Sequence, residues 1–305
     1  MDKSTKTKLK IFILNTPALL RPEKQSMQYP LHNKDYGIEQ DFYIWLKRQK
    51  NIITNNSFEA DWHYLPVYWT RWHINHNFAA DGEGLAQLQK EIDLLIIDDT
   101  KTFTIAQFDG GTLINAGKTV VFNAGRTTNE DIDIPILCSP HRKPPLPVKK
   151  KYIASFNGSF NTHPIRLEMQ KRFDTNPDVL IQGGLPTRFY KRWLWAKNYN
   201  LNTMASYIAL SPRGSNCTSF RFFEAMQFGV APCLIGDKDV RPFKKFIPWD
   251  EISYYVSSVD ELESLLNNLD KKEALKKGKK AYQYWKNELF YQKWCKYVLK
   301  ELESL

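Results

Sequence analysis

Two arginines and a glutamate stand at a spacing suited to gripping an anion. They lie in the stretch from Ser206 to Asp237, SYIALSPRGSNCTSFRFFEAMQFGVAPCLIGD, which reads as strand, loop, helix and strand. Tyr207 to Leu210 is an apolar run of the buried-strand kind, and SPRGSNCTS is a loop rich in Ser, Gly and Asn. Thr218 or Ser219 suits the N-cap of a helix reaching about Phe228, Gly229 suits its stop, and Val230 to Ile235 suits a second strand. A small-residue loop feeding a helix N-terminus leaves several backbone N–H groups unpaired, and these favour a phosphate. Arg213 and Arg221 add forked donors that match phosphate oxygens. The expected diphosphate contacts are therefore Arg213, Gly214, Arg221 and the N–H groups of Asn216, Thr218 and Ser219. Glu224, one turn past Phe220, can face the same cleft and take ribose hydroxyls. The plainer alternative is a capped helix with an Arg221–Glu224 surface pair, although that order of charges is the weaker one on a helix.

The elements that must position these groups are legible on both sides of a break. Residues 139–151, SPHRKPPLPVKKK, hold four prolines and six basic residues, which suits neither helix nor central strand. The spacing predicts a first unit over 1–140, a linker over 141–151, a second unit over 152–285 and a C-terminal helical segment over 286–305. In the first unit, strands are expected at 9–14, 58–68, 93–98, 103–107, 119–123 and 134–138, with helices from Tyr36 and over 83–91. WTRWHINHN, residues 69–77, reads as a loop after a strand end. In the second unit, strands at 152–156 and 179–182 and helices from Pro164 and over 188–198 precede the opening stretch. A late strand near 252–256 and helices over 259–268 and 271–285 follow it. Alternating strands and helices argue for α/β architecture with doubly wound parallel sheets. Tyr291, Trp294, Cys295 and Val298 form one apolar stripe in the last helix, expected to be packing.

These motifs resemble the exostosin-type glycosyltransferases. The matching residues are Pro212, Arg213, Gly214, Ser219, Arg221, Glu224, Ala225, Gly229 and Pro232. In the first half Tyr36, Glu39, Phe42, Leu46, Ala60, Asp61 and Pro66 also match, as do Phe156, Gly158 and Arg166 after the break. The resemblance implies a GT-B fold: two facing Rossmann-like domains with a cleft, the first holding the acceptor and the second the nucleotide sugar. It implies transfer of a sugar from a UDP-sugar to a glycan or polysaccharide acceptor, with Arg166 as a further diphosphate contact. It also implies a C-terminal helix packing back toward the first domain, and transfer without a bound metal or other cofactor.

An acceptor base is needed if the stereochemistry inverts. Glu39, Asp109 and His73 are the leading candidates, with Asp35, His63 and His76 beside them. Glu39 has the motif match, and equally reads as a carboxylate favoured by a helix N-terminus. His63, His73 and His76 lack the ligand set of a structural zinc site. Trp69 and Trp72 can stack on sugar rings, but aromatic residues after a strand more often pack in a core.

Composition bounds the rest. A chain of 305 residues with 42% hydrophobic and 14% aromatic residues can build two cores. Its four cysteines show neither disulfide nor zinc spacing. MDKSTKTKLKIFILN is neither a signal peptide nor an anchor, whereas animal and plant members of the family are anchored Golgi proteins. The expectation is a cytoplasmic bacterial or viral enzyme, or else a trimmed piece of a longer protein. The net charge of +10 is concentrated in residues 271–300, where ten lysines face Glu273 and Glu288. That region is a solvated face, or a contact with a membrane carrying a lipid-linked saccharide. Two other functions stay open: a fucosyltransferase using GDP-fucose, and a non-catalytic carbohydrate- or nucleic-acid-binding protein. Nucleic acid is not the expected partner.

Overall fold

The structure, a computed structural model, describes residues 9–23, 37–76, 83–108, 110–112, 114–126, 130–136, 138, 140–142, 148–184, 189–290 and 292–305, with the backbone alone at 83 and 189–196. The chain divides into two compact units. One joins Met1–Leu137 to Tyr291–Leu305, and the other is Cys138–Phe290.

In the first unit six parallel strands lie in the order β2-β1-β3-β4-β5-β6. They are β1 Ile11–Ile13, β2 Ile53–Thr54, β3 Trp62–Tyr64, β4 Thr102–Ala106, β5 Val120–Asn123 and β6 Ile132–Asp133. Helices α1 Ile38–Lys47, α2 Trp69–Asn75 and α3 Glu83–Leu95 accompany them. Helix α1 buries Ile38, Phe42 and Leu46, one residue per turn. The Phe42 ring meets Tyr64 of β3 edge-on at 5.2 Å and Phe103 of β4 at 6.1 Å. Burying a side chain of this size contributes about 1.5–3 kcal/mol.

Several expectations in this unit are corrected. The expected loop at 69–77 is helix α2 over Trp69–Asn75, which buries Trp69, Trp72 and His73, and Asn77 lies outside the described residues. No local side chain caps α2. Its Thr70 N–H instead donates to the Glu39 carboxylate of α1, so the sequence near α2 carries no start signal. The expected strand 93–98 is absent, because α3 runs on to Leu95. A short apolar run fits either period, and here Leu88 and Ile92 bury on one helical face. Strand β6 falls two residues ahead of its expected place, and β2 is too short for a sequence signal. The first and second expected strands shorten to Ile11–Ile13 and Trp62–Tyr64.

The second unit holds β7 Tyr152–Gly158, α4 Pro164–Phe173, β8 Val179–Gly183, α5 Phe189–Met204, β9 Ser206–Pro212 and α6 Phe220–Phe228. It continues with β10 Ala231–Ile235, α7 Trp249–Ile252, β11 Tyr254–Val256, α8 Val259–Asn267 and α9 Lys271–Tyr284. The five strands are parallel in the order β11-β10-β9-β7-β8. One face of this sheet packs Ile208, Leu210, Cys233 and Ile235 against Ile165, Met169, Val259 and Leu262. On its other face Ala209 packs with Ala225, Phe228 and Tyr199.

Helix α6 ends at Gly229, whose φ of 72° is left-handed and whose N–H returns to the Ala225 and Met226 carbonyls. Helix α9 presses onto that turn at Gly278, where a Cβ atom would lie 2.5 Å from the Gly229 carbonyl oxygen. The last helix, α10 Cys295–Leu302, belongs to the first unit. Trp294 stacks on Phe42 at 6.1 Å, and Trp62 Nε1 donates to the Leu302 carbonyl at 3.2 Å.

The fold is thus α/β, two Rossmann-like units each with a doubly wound parallel sheet, the pair of which a GT-B protein is built. In each, the strand order reverses between the first and third strands. There the loops after the strands part, and an open α/β sheet binds its ligands at that place.

Candidate functional site

The second unit reverses between β7 and β9, and three arginines gather there. Arg166 sits in the first turn of α4. That turn starts with His163, whose Nδ1 accepts from the Ile165 N–H at 3.3 Å, and with Pro164, which has no N–H to satisfy. The Arg166 side chain then bridges the two loops. Its Nε donates to the Arg213 carbonyl at 2.8 Å, Nη1 to the Ser159 carbonyl at 2.8 Å and Nη2 to the Pro212 carbonyl at 3.0 Å. These bonds take three of its five N–H donors. Among the described residues no carboxylate pairs with it. Burial, helped by the nearby Arg221 charge, pulls its pKa down to about 10.

Arg221, in the first turn of α6, donates from Nε to the Asn157 carbonyl at the end of β7, 2.9 Å away. Its guanidinium lies 4.4 Å over the Tyr199 ring. Arg213 follows β9. Its side chain lies across Gly236 and pairs with Asp237, two residues past β10. Gly214 lets the backbone approach Arg166, since a Cβ atom there would meet Nη2 at 3.3 Å. Asn216 accepts from the Thr218 N–H at 3.2 Å and so folds the loop that leads into α6. Ser219 is the N-cap residue, but its side chain makes no capping hydrogen bond. The structure gathers Arg213, Gly214, Asn216, Thr218, Ser219 and Arg221, expected from the sequence, and Arg166, expected from the family resemblance, at one sheet edge.

Glu224 is the exception. It is 1% exposed, so it offers no open face to a ribose. Its Oε2 accepts from Tyr199 Oη at 2.7 Å and from Arg221 Nη1 at 2.6 Å, and His141 Nε2 lies 3.5 Å from Oε1. The expected ribose carboxylate is instead a buried counter-charge that holds Arg221 in place. Its pairing with Arg221 exists, but inside the unit rather than on its surface. The partners Tyr199 and His141 carry no sequence signal, because they come from α5 and from the Pro-rich break.

In the first unit the base candidates are less open than expected. Glu39 is 0% exposed; Oε1 accepts from Thr70 Oγ1 at 2.7 Å, from the Thr70 N–H at 3.3 Å and from the Gln107 N–H after β4 at 3.1 Å. Burial raises its pKa. Glu39 therefore ties α1 to α2 and to the end of β4. His73 is fully buried, its ring 4.5 Å from that of Phe108, and burial lowers its pKa to about 4. Neither side chain has an exposed edge for an acceptor hydroxyl. Asp109 and Asp35 lie outside the described residues. His63 turns to the Ser57 carbonyl, and His76 stacks on Trp72 at 3.9 Å. Trp69 is core, its Nε1 donating to Thr104 Oγ1 at 2.8 Å.

The expectation of transfer without a metal drew on the absence of any Asp-x-Asp motif, and that reading is incorrect: Asp131-Ile132-Asp133 and Asp237-Lys238-Asp239 both have the spacing. Their carboxylates are engaged within the chain. Asp131 accepts from Asn123, Asp133 pairs with Arg126, Asp237 with Arg213, and Asp239 with Arg241 and Lys244. Among the described residues no group of three or more His, Cys, Asp or Glu side chains is arranged to hold a metal ion.

Comparison with known proteins decides the family. The Exostosin GT47 domain model matches residues 5–272. The chain belongs to the Exostosin GT47 domain family. Among its relatives, probable beta-1,4-xylosyltransferase IRX10 of Arabidopsis thaliana is 24% identical over 279 residues, covering 74% of this chain and 63% of that protein. A probable glucuronosyltransferase of Oryza sativa subsp. japonica is 30% identical over 122 residues, covering 39% of this chain and 26% of its own. The chain thus spans less than two thirds of the length of either. Anabaena Alr3699/HepE, solved in complex with UDP and glucose, superposes with a TM-score of 0.43 at 11% identity, over 98% of this chain and 100% of that one. That likeness carries no argument about the site.

The relatives also overturn one expectation. Arabidopsis thaliana and Oryza sativa, the sources of these relatives, are plants, as is Physcomitrium patens, the source of a further one. The cytoplasmic assignment rested on the first residues of a chain that spans only part of its relatives, and it is withdrawn. Among the described residues, no helix is long and apolar enough to cross a membrane.

Proposed function

We propose that this Exostosin GT47 domain transfers a sugar from a nucleotide sugar, a UDP-sugar, to a saccharide acceptor, and that its second unit holds the donor's diphosphate. The observation that carries the reading is Arg166. A guanidinium 9% exposed, braced by three carbonyl oxygens and repelled by Arg221, is stabilised by an arriving anion. Arg213, Arg221 and the loop from Asn216 to Ser219 surround the same strand ends. In transfer, negative charge grows on the leaving diphosphate, and fixed cations placed for it lower the barrier. In this proposal the guanidiniums supply that stabilisation without a divalent metal or other cofactor. The first unit holds the acceptor.

Titration calorimetry with UDP and GDP tests the donor. Binding of UDP in preference to GDP supports the proposal, and binding of GDP alone points to a GDP-fucose donor. Binding of neither removes the donor site. Chelator should leave UDP affinity unchanged, and a large loss would overturn the metal-free step. Contact with an anionic membrane is a further part of the proposal. Lys277 and Lys280 are drawn into pairs with Glu273 and Glu251, while Lys272, Lys276 and Lys279 remain exposed on α9. Sedimentation with anionic vesicles at low salt, lost at high salt, supports it; no sedimentation at low salt removes it.

A further inference from the structure

We propose that His163 is a further donor-site residue, whose Nε2–H donates to an oxygen of the nucleotide sugar's diphosphate. The inference rests on the glycosyl-transfer reading above and adds to it a neutral, directed hydrogen-bond donor among the cations.

His163 ends the loop after β7 and is the N-cap residue of α4. Its Nδ1 accepts from the Ile165 N–H at 3.3 Å. A ring nitrogen that accepts carries no proton, so in the neutral ring the proton stands on Nε2. The cap thus selects the tautomer and holds the ring in one direction. The residue is half-buried, and among the described residues no group bonds Nε2.

The ring stands at the anion site. Arg166 follows one turn later on α4, its guanidinium tied to the carbonyls of Pro212 and Arg213. Thr162, the preceding residue, reaches the same loop: a Cβ atom on Gly214 would lie 3.7 Å from Thr162 Oγ1. His163 feels the charges of Arg213 after β9, Asp237 after β10 and Arg166 on its own helix. Asp237 pairs with Arg213 rather than with the ring. Partial burial and the two guanidiniums outweigh that carboxylate and hold the imidazole below its usual pKa of 6.5, so it is neutral at pH 7.

A cap alone explains this residue poorly. Ser, Thr, Asp and Asn are the preferred N-caps, and each would cap α4 without a ring. A lysine would meet both guanidiniums as a like charge. A neutral imidazole offers one N–H at the same place without that repulsion. Given an ionised phosphate oxygen as acceptor, the bond becomes charge-assisted. It strengthens as charge grows on the departing diphosphate, with no side chain having to move.

The test uses the full chain, UDP as the probe and variants that keep the cap. His163→Asn supplies a preferred capping oxygen and removes Nε2. By calorimetry UDP should bind about tenfold more weakly, the loss of one charge-assisted contact, while the urea midpoint stays at or above that of the parent. His163→Ser should repeat the result. In the parent with isotope-labelled histidine, nitrogen NMR should find the His163 proton on Nε2, and that signal should move when UDP is added. If both variants fold poorly, the NMR signal decides. A folded variant that binds UDP as tightly as the parent, a proton on Nδ1, or an Nε2–H signal unmoved by UDP overturns the proposal. If the parent binds UDP and a folded variant binds it equally well, this contact falls and the donor site stands. If the parent does not bind UDP, both fall.

Discussion

Arg221 and Glu224 form a buried ion pair at 2.6 Å one turn apart on α6, and the glutamate also accepts from the Tyr199 hydroxyl at 2.7 Å. The pair fixes the arginine's direction before any ligand arrives. A carboxylate that sequence alone would send to a ribose instead sets the geometry of a neighbouring cation.

Removing that carboxylate should cost stability first. In Glu224→Gln the Arg221 charge stays buried with a neutral partner, and breaking a buried pair costs about 3–5 kcal/mol. The retained amide should hold the loss toward the lower end. Urea unfolding should show a lower midpoint at unchanged slope, together with weaker UDP binding. A variant as stable as the parent would return Glu224 to an open, ligand-facing role.

Arg213→Ala should behave differently. The Arg213 side chain is 14% exposed and pairs with Asp237, which is 57% exposed, so little of the fold depends on the pair. Loss of one charged contact to a diphosphate should weaken UDP binding by about tenfold or more. The melting temperature without ligand should move by only about 2 °C, because the change is small on the scale of the folding free energy. UDP affinity equal to that of the parent would remove Arg213 from the site.

Gly278→Ala should destabilise the second unit. The added methyl would stand 2.5 Å from the Gly229 carbonyl and 2.9 Å from the Ala231 amide nitrogen, both backbone atoms. Overpacking of this kind costs about 1–3 kcal/mol. The shift should appear as a lower urea midpoint. An unchanged midpoint would mean that α9 can slide away from the turn.

His73 predicts an acid-labile first unit. Burial lowers its pKa from 6.5 to about 4, so between those values the unfolded chain binds a proton that the folded chain refuses. Stability should therefore fall as pH drops from about 6.5 to about 4, by on the order of 3 kcal/mol in all. Glu39, whose pKa is raised, acts with the opposite sign: its contribution is present below pH 4.5 and lost as pH rises through the folded value. The comparison of the parent with His73→Leu isolates the histidine. The variant should lose less stability over that window, and parallel curves would show that His73 protonates in place.

What the sequence revealed follows from how local each signal is. The strand, loop and helix around Arg213 announce themselves because a small-residue loop, an N-cap serine and a terminal glycine are neighbours in the chain. Arg166, 47 residues before Arg213, was placed by resemblance, since nothing near either residue records the bond between them. Helix α2 stayed hidden because its cap, Glu39, lies 31 residues upstream. The burial of Glu224 was equally illegible, for it depends on Tyr199 and His141 arriving from separate segments. Local chemistry reads from a sequence, and long-range partners of buried charges do not.

The return of residues 291–305 to the first unit fixes an order of assembly. During synthesis the ribosome releases every strand of the first sheet well before the helix that covers Phe42 and Trp62. The second unit is contiguous and is complete earlier. Completing the second unit therefore does not require residues 292–305, whereas the aromatic surface at Phe42 and Trp62 stays uncovered until that segment has been made.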